Sequence, residues 1–397
     1  MSLPIRVETI TLGDELLLGI RENAHLSYLG AQLAHHGIEP FANLVVRDQV
    51  DEIRTFFSES WKRSDLVITT GGLGPTSDDL TRETIAEILH EELVFDPSIE
   101  HALIERFSNL GRPMPESNLR QCYRPKGAEV LANPYGTAPG LLIKKEGKIL
   151  VMLPGPAREM HPMFEQVVIP RLQAEGLFPE IDCYLQIRTA GIGESDLAEK
   201  VGHLFEGKEG LVVGYCAHAG MVDLRLSSMD GEILSEEDLH AIADQCREAL
   251  GEDFVCLGDR TLAEVIFREL RSLDKTLAVA ESCTGGLLSS QFTEVAGISK
   301  VFHGGAVCYH NDAKVQMVDV PESMLEQHGA VSEEIAIAMA TGASEKFGAD
   351  YGLSVTGFAG PAGGTQVLPV GSIFLGYSSP VGVWAKKIQL RGDRASN

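Results

Sequence analysis

Short apolar runs that stop at glycine or a glycine-rich segment recur along this chain, and they constrain it more than any other feature. Val7–Leu12 runs into Gly13, Asp65–Thr70 (DLVITT) into Gly71-Gly72, Thr276–Ala280 into the segment ESCTGG, and Tyr351–Thr356 into Gly357. Runs this short, rich in β-branched residues, suit strands buried on both faces of a parallel sheet. Helical patterns at Asn23–His36, Val50–Arg63, Thr81–His90 and Ala157–Leu172 lie among the first strands, with further strands expected at Leu44–Val46 and Lys148–Leu153. Parallel strands need crossover connections, so the alternation implies helices covering both faces. It returns at about residue 256, with helices expected at Thr261–Leu273, Gly285–Val295 and Val331–Lys346, a strand at Gly304–Tyr309, and a closing strand pair at Gly371–Tyr377 and Trp384–Gln389. Between these parts, strands at Tyr184–Thr189 and Met221–Ser227 and helices at Ser195–Leu204 and Glu236–Leu250 form a small α+β unit. The expected fold class is α/β: two three-layer α/β/α domains, 1–172 and 256–397, joined by an α+β domain at 178–253.

A length of 397 residues suits two or three such domains. The net charge of −24, from 57 acidic against 33 basic residues, works against a duplex-binding role, which needs Lys and Arg to neutralise phosphates. No apolar run reaches the length of a membrane span, so neither nucleic acid nor membrane is expected as a partner. Seven cysteines are scattered without a C-x-x-C pair, as free thiols in a reducing compartment would be. The N-terminus lacks the apolar core of a signal peptide, and a cytoplasmic location is expected.

Two loops beyond strand ends carry chemistry in the first domain: Gly13–Gly19 (GDELLLG) and Gly71–Thr81 (GGLGPTSDDLT). In open α/β sheets, ligands sit beyond the carboxyl ends of strands. Glycines let backbone N–H groups approach phosphates, Thr76 and Ser77 add hydroxyls, and Asp78 with Asp79 suits a hard divalent cation. The pattern fits a pyrophosphate site with a metal; the plainer reading is a glycine-rich turn that caps the next helix. In the middle domain, Gly191–Ser195 (GIGES) reads as a structural turn, because Glu194 and Asp196 stand where an RNA-binding loop needs basic residues.

In the last domain, Ala280–Gly286 (AESCTGG) places Ser282 and Cys283 on a strand-to-helix turn, where a nucleophile is exposed and the helix N-terminus offers N–H donors to an oxyanion. A serine nucleophile needs a base. The candidates are His303, His310, His328 and Lys314, the last in the stretch Tyr309–Lys314. A second glycine loop, Val355–Thr365 (VTGFAGPAGGT), also follows a strand, so the two loops can form one pocket. The plainer reading is a capped turn with a buried cysteine.

Several of these motifs together resemble the CinA family of competence/damage-inducible proteins. They are GDELLLG, GGLGPTSDDLT, Asn118–Gln121, Asn133–Gly140, Leu153–Pro156, ESCTGG, Tyr309–Lys314, TGFAGPAGG, PVGSIFLG and Arg391–Arg394. The resemblance implies an N-terminal molybdopterin-binding-like fold of the MogA/MoaB type with metal-dependent ADP-ribose pyrophosphatase activity giving AMP and ribose 5-phosphate, the divalent cation being Mg, Mn or Co. It implies that Asp14, Gly72, Thr76, Asp78, Asp79 and Asn133 line that site, with Glu159 a weaker candidate; Cys122 departs from the expected alanine. The middle domain resembles a KH fold. The C-terminal domain resembles nicotinamide-nucleotide amidase, which needs no cofactor and converts nicotinamide mononucleotide to nicotinate mononucleotide and ammonia. By motif position Ser282 is the nucleophile, Lys314 its base, Tyr309 and Thr356 orient the pair or polarise the carboxamide, and Arg394 binds the anionic nucleotide beside the Thr284, Gly285, Gly286 and Gly357 turns. The expected partners are these two nucleotides and a second copy in a homodimer, placing the protein in pyridine-nucleotide salvage. The alternatives are a nucleotide-sensing scaffold without turnover and a molybdopterin-binding protein. In the family a helix follows Arg391–Arg394; here the sequence ends at Asn397, and Arg394 is expected to fray.

Overall fold

The computed structural model describes residues 5–178, 184–218, 220–228, 234–394 and 397, and these fall into two compact units. One draws on residues up to Gln186 with Glu194–Cys216 and Asp223–Gly251; the other comprises Ile187–Gly193, Ala217–Val222 and Glu252–Asn397. The fold is mixed α/β.

The N-terminal sheet has six strands in the order Pro40–Val46, Val7–Leu12, Leu66–Thr70, Lys148–Leu153, Gly140–Lys145, Glu129–Leu131. The first four run parallel and the last two turn back antiparallel. Alternate residues of the central strands feed two separate cores, as the strand period of two requires. Val7, Ile68 and Val151 pack with Leu29, Leu33 and Phe164 on one face, while Ile10, Val67 and Leu150 pack with Ile53, Phe57 and Ile85 on the other. Helices therefore cover both faces.

A buried carboxylate ties the first strand to the Val50–Arg63 helix. Glu8 is fully buried and accepts from Arg63 Nε (2.6 Å) and Nη2 (3.0 Å) and from Ser60 Oγ (2.8 Å). Burial pushes its carboxyl up, but the hydrogen bonds from Arg63, Ser60 and Ser64 outweigh that and hold it below the usual range. A carboxyl lowered in the fold stabilises above its unfolded pKa, and that contribution is lost as pH falls through the folded one. Glu8→Gln is therefore expected to lower the melting temperature at neutral pH and to narrow the gap to wild type in acid, as a thermal-unfolding series from pH 7 downward would read.

The Ala157–Leu172 segment is not one helix. Pro162 and Pro170 each lack an N–H, and the segment divides into Ala157–Met163, a wider π turn at Phe164–Val168, and Ile169–Ala174. The Gly13–Gly19 loop contains a short helix, Asp14–Leu17. In the middle domain Tyr184–Ala190, Leu211–His218 and Met221–Ser228 are strands and Glu236–Leu250 is a helix closed by a Ser235–Asp238 capping box.

The C-terminal sheet runs Phe302–Val307, Leu277–Glu281, Tyr351–Gly357, Ser372–Ser379, Gly382–Gln389. The first three strands are parallel and the last two form the expected antiparallel pair. Ala278 and Ala280 pack under the Glu333–Phe347 helix on one face, and Leu277 and Val279 against the Leu262–Ser272 helix on the other. On the neighbouring Tyr351–Gly357 strand a small residue allows close approach of the same helix: a Cβ at Gly352 would stand 1.9 Å from the Ala340 carbonyl oxygen. Six of the seven cysteines are free thiols; Cys183 lies outside the described residues. Among the described residues no helix is long and apolar enough to cross a membrane.

Candidate active sites

Both glycine loops sit at carboxyl ends of parallel strands, but they differ in how their polar groups are spent. In the N-terminal domain a cavity of about 530 Å³ opens beyond Leu12, Thr70 and Leu153. Gly72, at φ +66, has Thr81 so close that a Cβ would meet its Oγ1 at 1.9 Å, so only glycine fits. Asp79 closes the following turn: its Oδ2 accepts from the Thr76 N–H (2.8 Å) and hydroxyl (2.5 Å). Arg120 braces the same turn by donating to the carbonyls of Thr76 (2.5 Å) and Asp79 (3.3 Å), and Gln121 donates to that of Leu73 (3.2 Å). The Asn118–Gln121 motif is thus the scaffold of the glycine loop.

Asn133 is likewise internal to its own loop. Its amide nitrogen donates to Ala138 O and Glu159 Oε2, and its oxygen accepts from the N–H groups of Tyr135 and Gly136. Every group it has is used, and it holds Glu159 at the cavity wall. Asp78 and Asp79 face the cavity, whereas Asp14 is exposed and accepts from the Asp48 N–H (3.4 Å).

Two cavity residues had no part in the sequence reading. His25 places Nδ1 2.9 Å from Thr70 Oγ1, and burial pushes its imidazole down, so it is neutral at pH 7. Asp48 is pushed up to about 6, first by burial and then by the charges of Asp14, Glu15 and Asp78. Asp48 lies two residues beyond the end of the Pro40–Val46 strand, so the strand-end rule that found the glycine loops applies to it as well.

A carboxylate destabilised by its own acidic neighbours is a group that a cation would relieve. Among the described residues no three His, Cys, Asp or Glu side chains converge as a complete metal cage. One or two carboxylates completed by phosphate oxygens and water is the usual way magnesium is held, and Asp78 with Asp48 fits that donor set.

The C-terminal site is built at the end of the Leu277–Glu281 strand. Ser282 is 8% exposed, and its N–H donates to the Val355 carbonyl (2.9 Å), which fixes it to the neighbouring strand. Lys314, on the Asn311–Val318 helix, is 1% exposed and places Nζ 3.1 Å from Ser282 Oγ. The same amine donates to the carbonyls of Cys308 (2.9 Å) and Tyr309 (3.4 Å). Among the described residues no carboxylate lies within ion-pair distance of it. Burial therefore pushes this ammonium's pKa below the usual lysine range. A neutral amine has two hydrogens and one lone pair. When this amine is neutral, the carbonyl oxygens of Cys308 and Tyr309 can take its hydrogens and leave the lone pair for the serine hydroxyl, the arrangement of a general base.

The three histidines stand elsewhere. His303 pairs with Phe347 O, His310 is exposed and caps the Asn311–Val318 helix, and His328 faces Glu334. Cys283 is half-buried, and burial pushes its thiol up, away from the reactive thiolate. Thr356 donates its hydroxyl to Ala330 O (2.7 Å), so its proton is unavailable to the pair. Gly357 is a packing glycine: a Cβ there would meet Ile373 Cδ1 at 2.4 Å. Gly285 (φ +61) and Gly286 (φ +106) shape the turn and delay the helix, which runs only over Leu287–Thr293. Arg394 is tied down rather than frayed: it donates to Gly360 O (2.8 Å) and to the hydroxyl of the exposed Tyr309 (3.3 Å).

The helix N-terminus does not serve an oxyanion as the sequence suggests. The N–H groups of Gly286, Leu288 and Ser289 all donate to the Glu281 carboxylate. The N–H groups of Cys283 and Thr284, nearest the nucleophile, are not among those Glu281 takes.

Residues 8–174 match the family model described as a probable molybdopterin binding domain, 186–255 the damage-inducible protein CinA KH domain, and 259–397 the CinA C-terminal domain. A CinA-like protein of Kosmotoga olearia is 43% identical over 98% of this chain and 94% of its own length, and one of Dictyoglomus turgidum 38% over 98% and 95%. Among solved structures, a CinA protein from Thermoplasma acidophilum is 33% identical, covering 42% of this chain and 98% of its own, with a TM-score of 0.39. With full-length relatives at this identity and all three domain types in order, the chain belongs to the CinA family.

Proposed function

We propose that the chain is a two-site hydrolase of pyridine-nucleotide breakdown. In this reading the C-terminal domain hydrolyses the carboxamide of nicotinamide mononucleotide and the N-terminal domain cleaves ADP-ribose to AMP and ribose 5-phosphate. The observation that carries it is the buried Lys314 amine, without an ion-pair partner among the described residues, 3.1 Å from Ser282 Oγ.

Ser282 Oγ attacks the carboxamide carbon as Lys314 takes the hydroxyl proton. The oxyanion meets the N–H groups of Cys283 and Thr284. Lys314 returns the proton to the leaving nitrogen, the C–N bond breaks, and ammonia departs from an acyl-serine. Water then attacks that ester, Lys314 again takes the proton, and Ser282 is regenerated with release of nicotinate mononucleotide. In this reading Arg394 and Tyr309, joined at the surface by a hydrogen bond, receive the nucleotide's phosphate and ribose.

In the N-terminal site Asp78 and Asp48 would hold a divalent cation, which supplies charge neutralisation of the pyrophosphate when bound. The chain's own groups do the rest: the glycine loop at Gly72, held in shape by the braced Thr76–Asp79 turn, offers backbone N–H groups to the phosphates, and neutral His25 lies on the cavity wall. The match of residues 8–174 to a molybdopterin binding model also supports a pterin ligand here, which competition between a pterin and ADP-ribose would detect.

The test is a product assay of the intact chain on both nucleotides. A chelator is expected to stop AMP formation and leave ammonia release unchanged, because the amidase site uses only an amine, a hydroxyl and backbone N–H groups. Chelator-sensitive ammonia release would contradict this reading of the C-terminal chemistry.

A further inference from the structure

We propose that Glu281 is a positioning residue for the Ser282–Lys314 pair, an inference that rests on the amidase reading. Glu281 is the last residue of its strand, directly before the nucleophile, and is fully buried. Its Oε2 accepts from Gly286 N (3.1 Å) and Leu288 N (2.9 Å), and its Oε1 from Ser289 N (2.8 Å) and Ser289 Oγ (2.6 Å). All four donors lie on the far side of the turn that carries Ser282. The carboxylate therefore clamps the two ends of that turn together and fixes where Oγ points. The packing around the clamp is tight: a Cβ at Gly305 would stand 2.1 Å from Ser289 Oγ, so a side chain there would displace the serine.

The clamp is made by a carboxylate: the donors of the turn hold the Glu281 carboxyl below the usual range in spite of burial, and its hydrogen bonds go to that turn and not to Lys314.

Glu281→Gln keeps the shape but points an amide NH₂ at groups that are themselves donors. A displaced nucleophile loses turnover before it loses binding. The expected result is a kcat lower by about tenfold or more, a KM within about twofold, and the ascending limb of the pH–rate profile in its wild-type place, since Glu281 is not the base. Ser289→Ala removes one donor and leaves the carboxylate, so it is expected to lower kcat by about threefold; it decides the matter if the glutamine variant does not fold.

A second readout does not depend on the substrate assignment: the rate at which phenylmethylsulfonyl fluoride labels Ser282, read by intact mass. Labelling is expected to slow in parallel with kcat in both variants. A wild type that is labelled but releases no ammonia from nicotinamide mononucleotide would remove the proposed substrate, and slower labelling of the variants would still support the clamp. Wild-type labelling rates in folded variants, or a wild type that is not labelled at all, would overturn it.

Discussion

Replacing Ser282 with alanine is expected to reduce ammonia release from nicotinamide mononucleotide by on the order of 10³-fold or more, as loss of a serine nucleophile does in other hydrolases. AMP formation from ADP-ribose should stay at the wild-type rate. The two sites are built from different units and share no residue, and substitutions at separate sites act independently. The hydroxyl being removed is 8% exposed, so its loss changes local packing by one small polar atom. Rates of both products, measured on one preparation, check this. Equal loss of both would show that the sites are coupled. Undiminished ammonia release would transfer the nucleophile's role to Cys283, the neighbouring candidate whose thiol burial holds in its unreactive form.

Lys314→Met tests the base. Methionine keeps most of the stem's bulk, which matters for a side chain that is 1% exposed in a packed site. It removes the amine, and general-base chemistry is worth about 10²–10⁴ in rate, so turnover should fall by that much with little change in nucleotide binding. The sign of the pH dependence follows from the lowered lysine. The amine acts only when neutral, so the wild-type rate should rise with pH through a midpoint below the usual lysine range and then level off. That limb should vanish in the variant. The variant should also fold at least as stably as wild type, because it no longer buries an ionisable group without an ion-pair partner. Near-normal turnover would show that Lys314 is not the base, and none of the three nearby histidines contacts Ser282 to replace it.

The parts of the fold that sequence reading reaches are those where local pattern and tertiary context agree. DLVITT and LAVAE are buried on both faces, and an apolar run with glycine behind it has few other uses. The Gly140–Lys145 and Glu129–Leu131 strands and the Pro97–Asn109 helix are absent from that reading. Those strands belong to the antiparallel edge of the sheet, where no crossover helix signals them. The long helix at Ala157–Leu172 fails for a local reason that is visible in the sequence, the two prolines.

The candidate sites divide in the same way. Ser282 and Lys314 stand 32 residues apart, and the pairing of the Leu277–Glu281 and Phe302–Val307 strands that precede them brings them to 3.1 Å. Residue types on the strand-end loops name them as candidates, but no sequence spacing gives their contact. The residues that support the site leave even less trace. Glu281 reads as an ordinary strand-end acid until its four donors are seen, and Asn133 as a ligand-facing amide until its hydrogen bonds prove to go to its own loop and to Glu159. Asp48 and His25 carry no motif; only its place beyond a strand end marks Asp48, and the cavity alone selects His25.

The measurement that bears most directly on the proposed Ser282–Lys314 amidase is the fate of nicotinamide mononucleotide incubated with the intact chain in the presence of a chelator. Ammonia and nicotinate mononucleotide should appear in equal amounts with wild type, and neither with Ser282→Ala. Binding of the nucleotide without its consumption, by a folded wild-type chain, would contradict the account and leave a sensor in place of an enzyme.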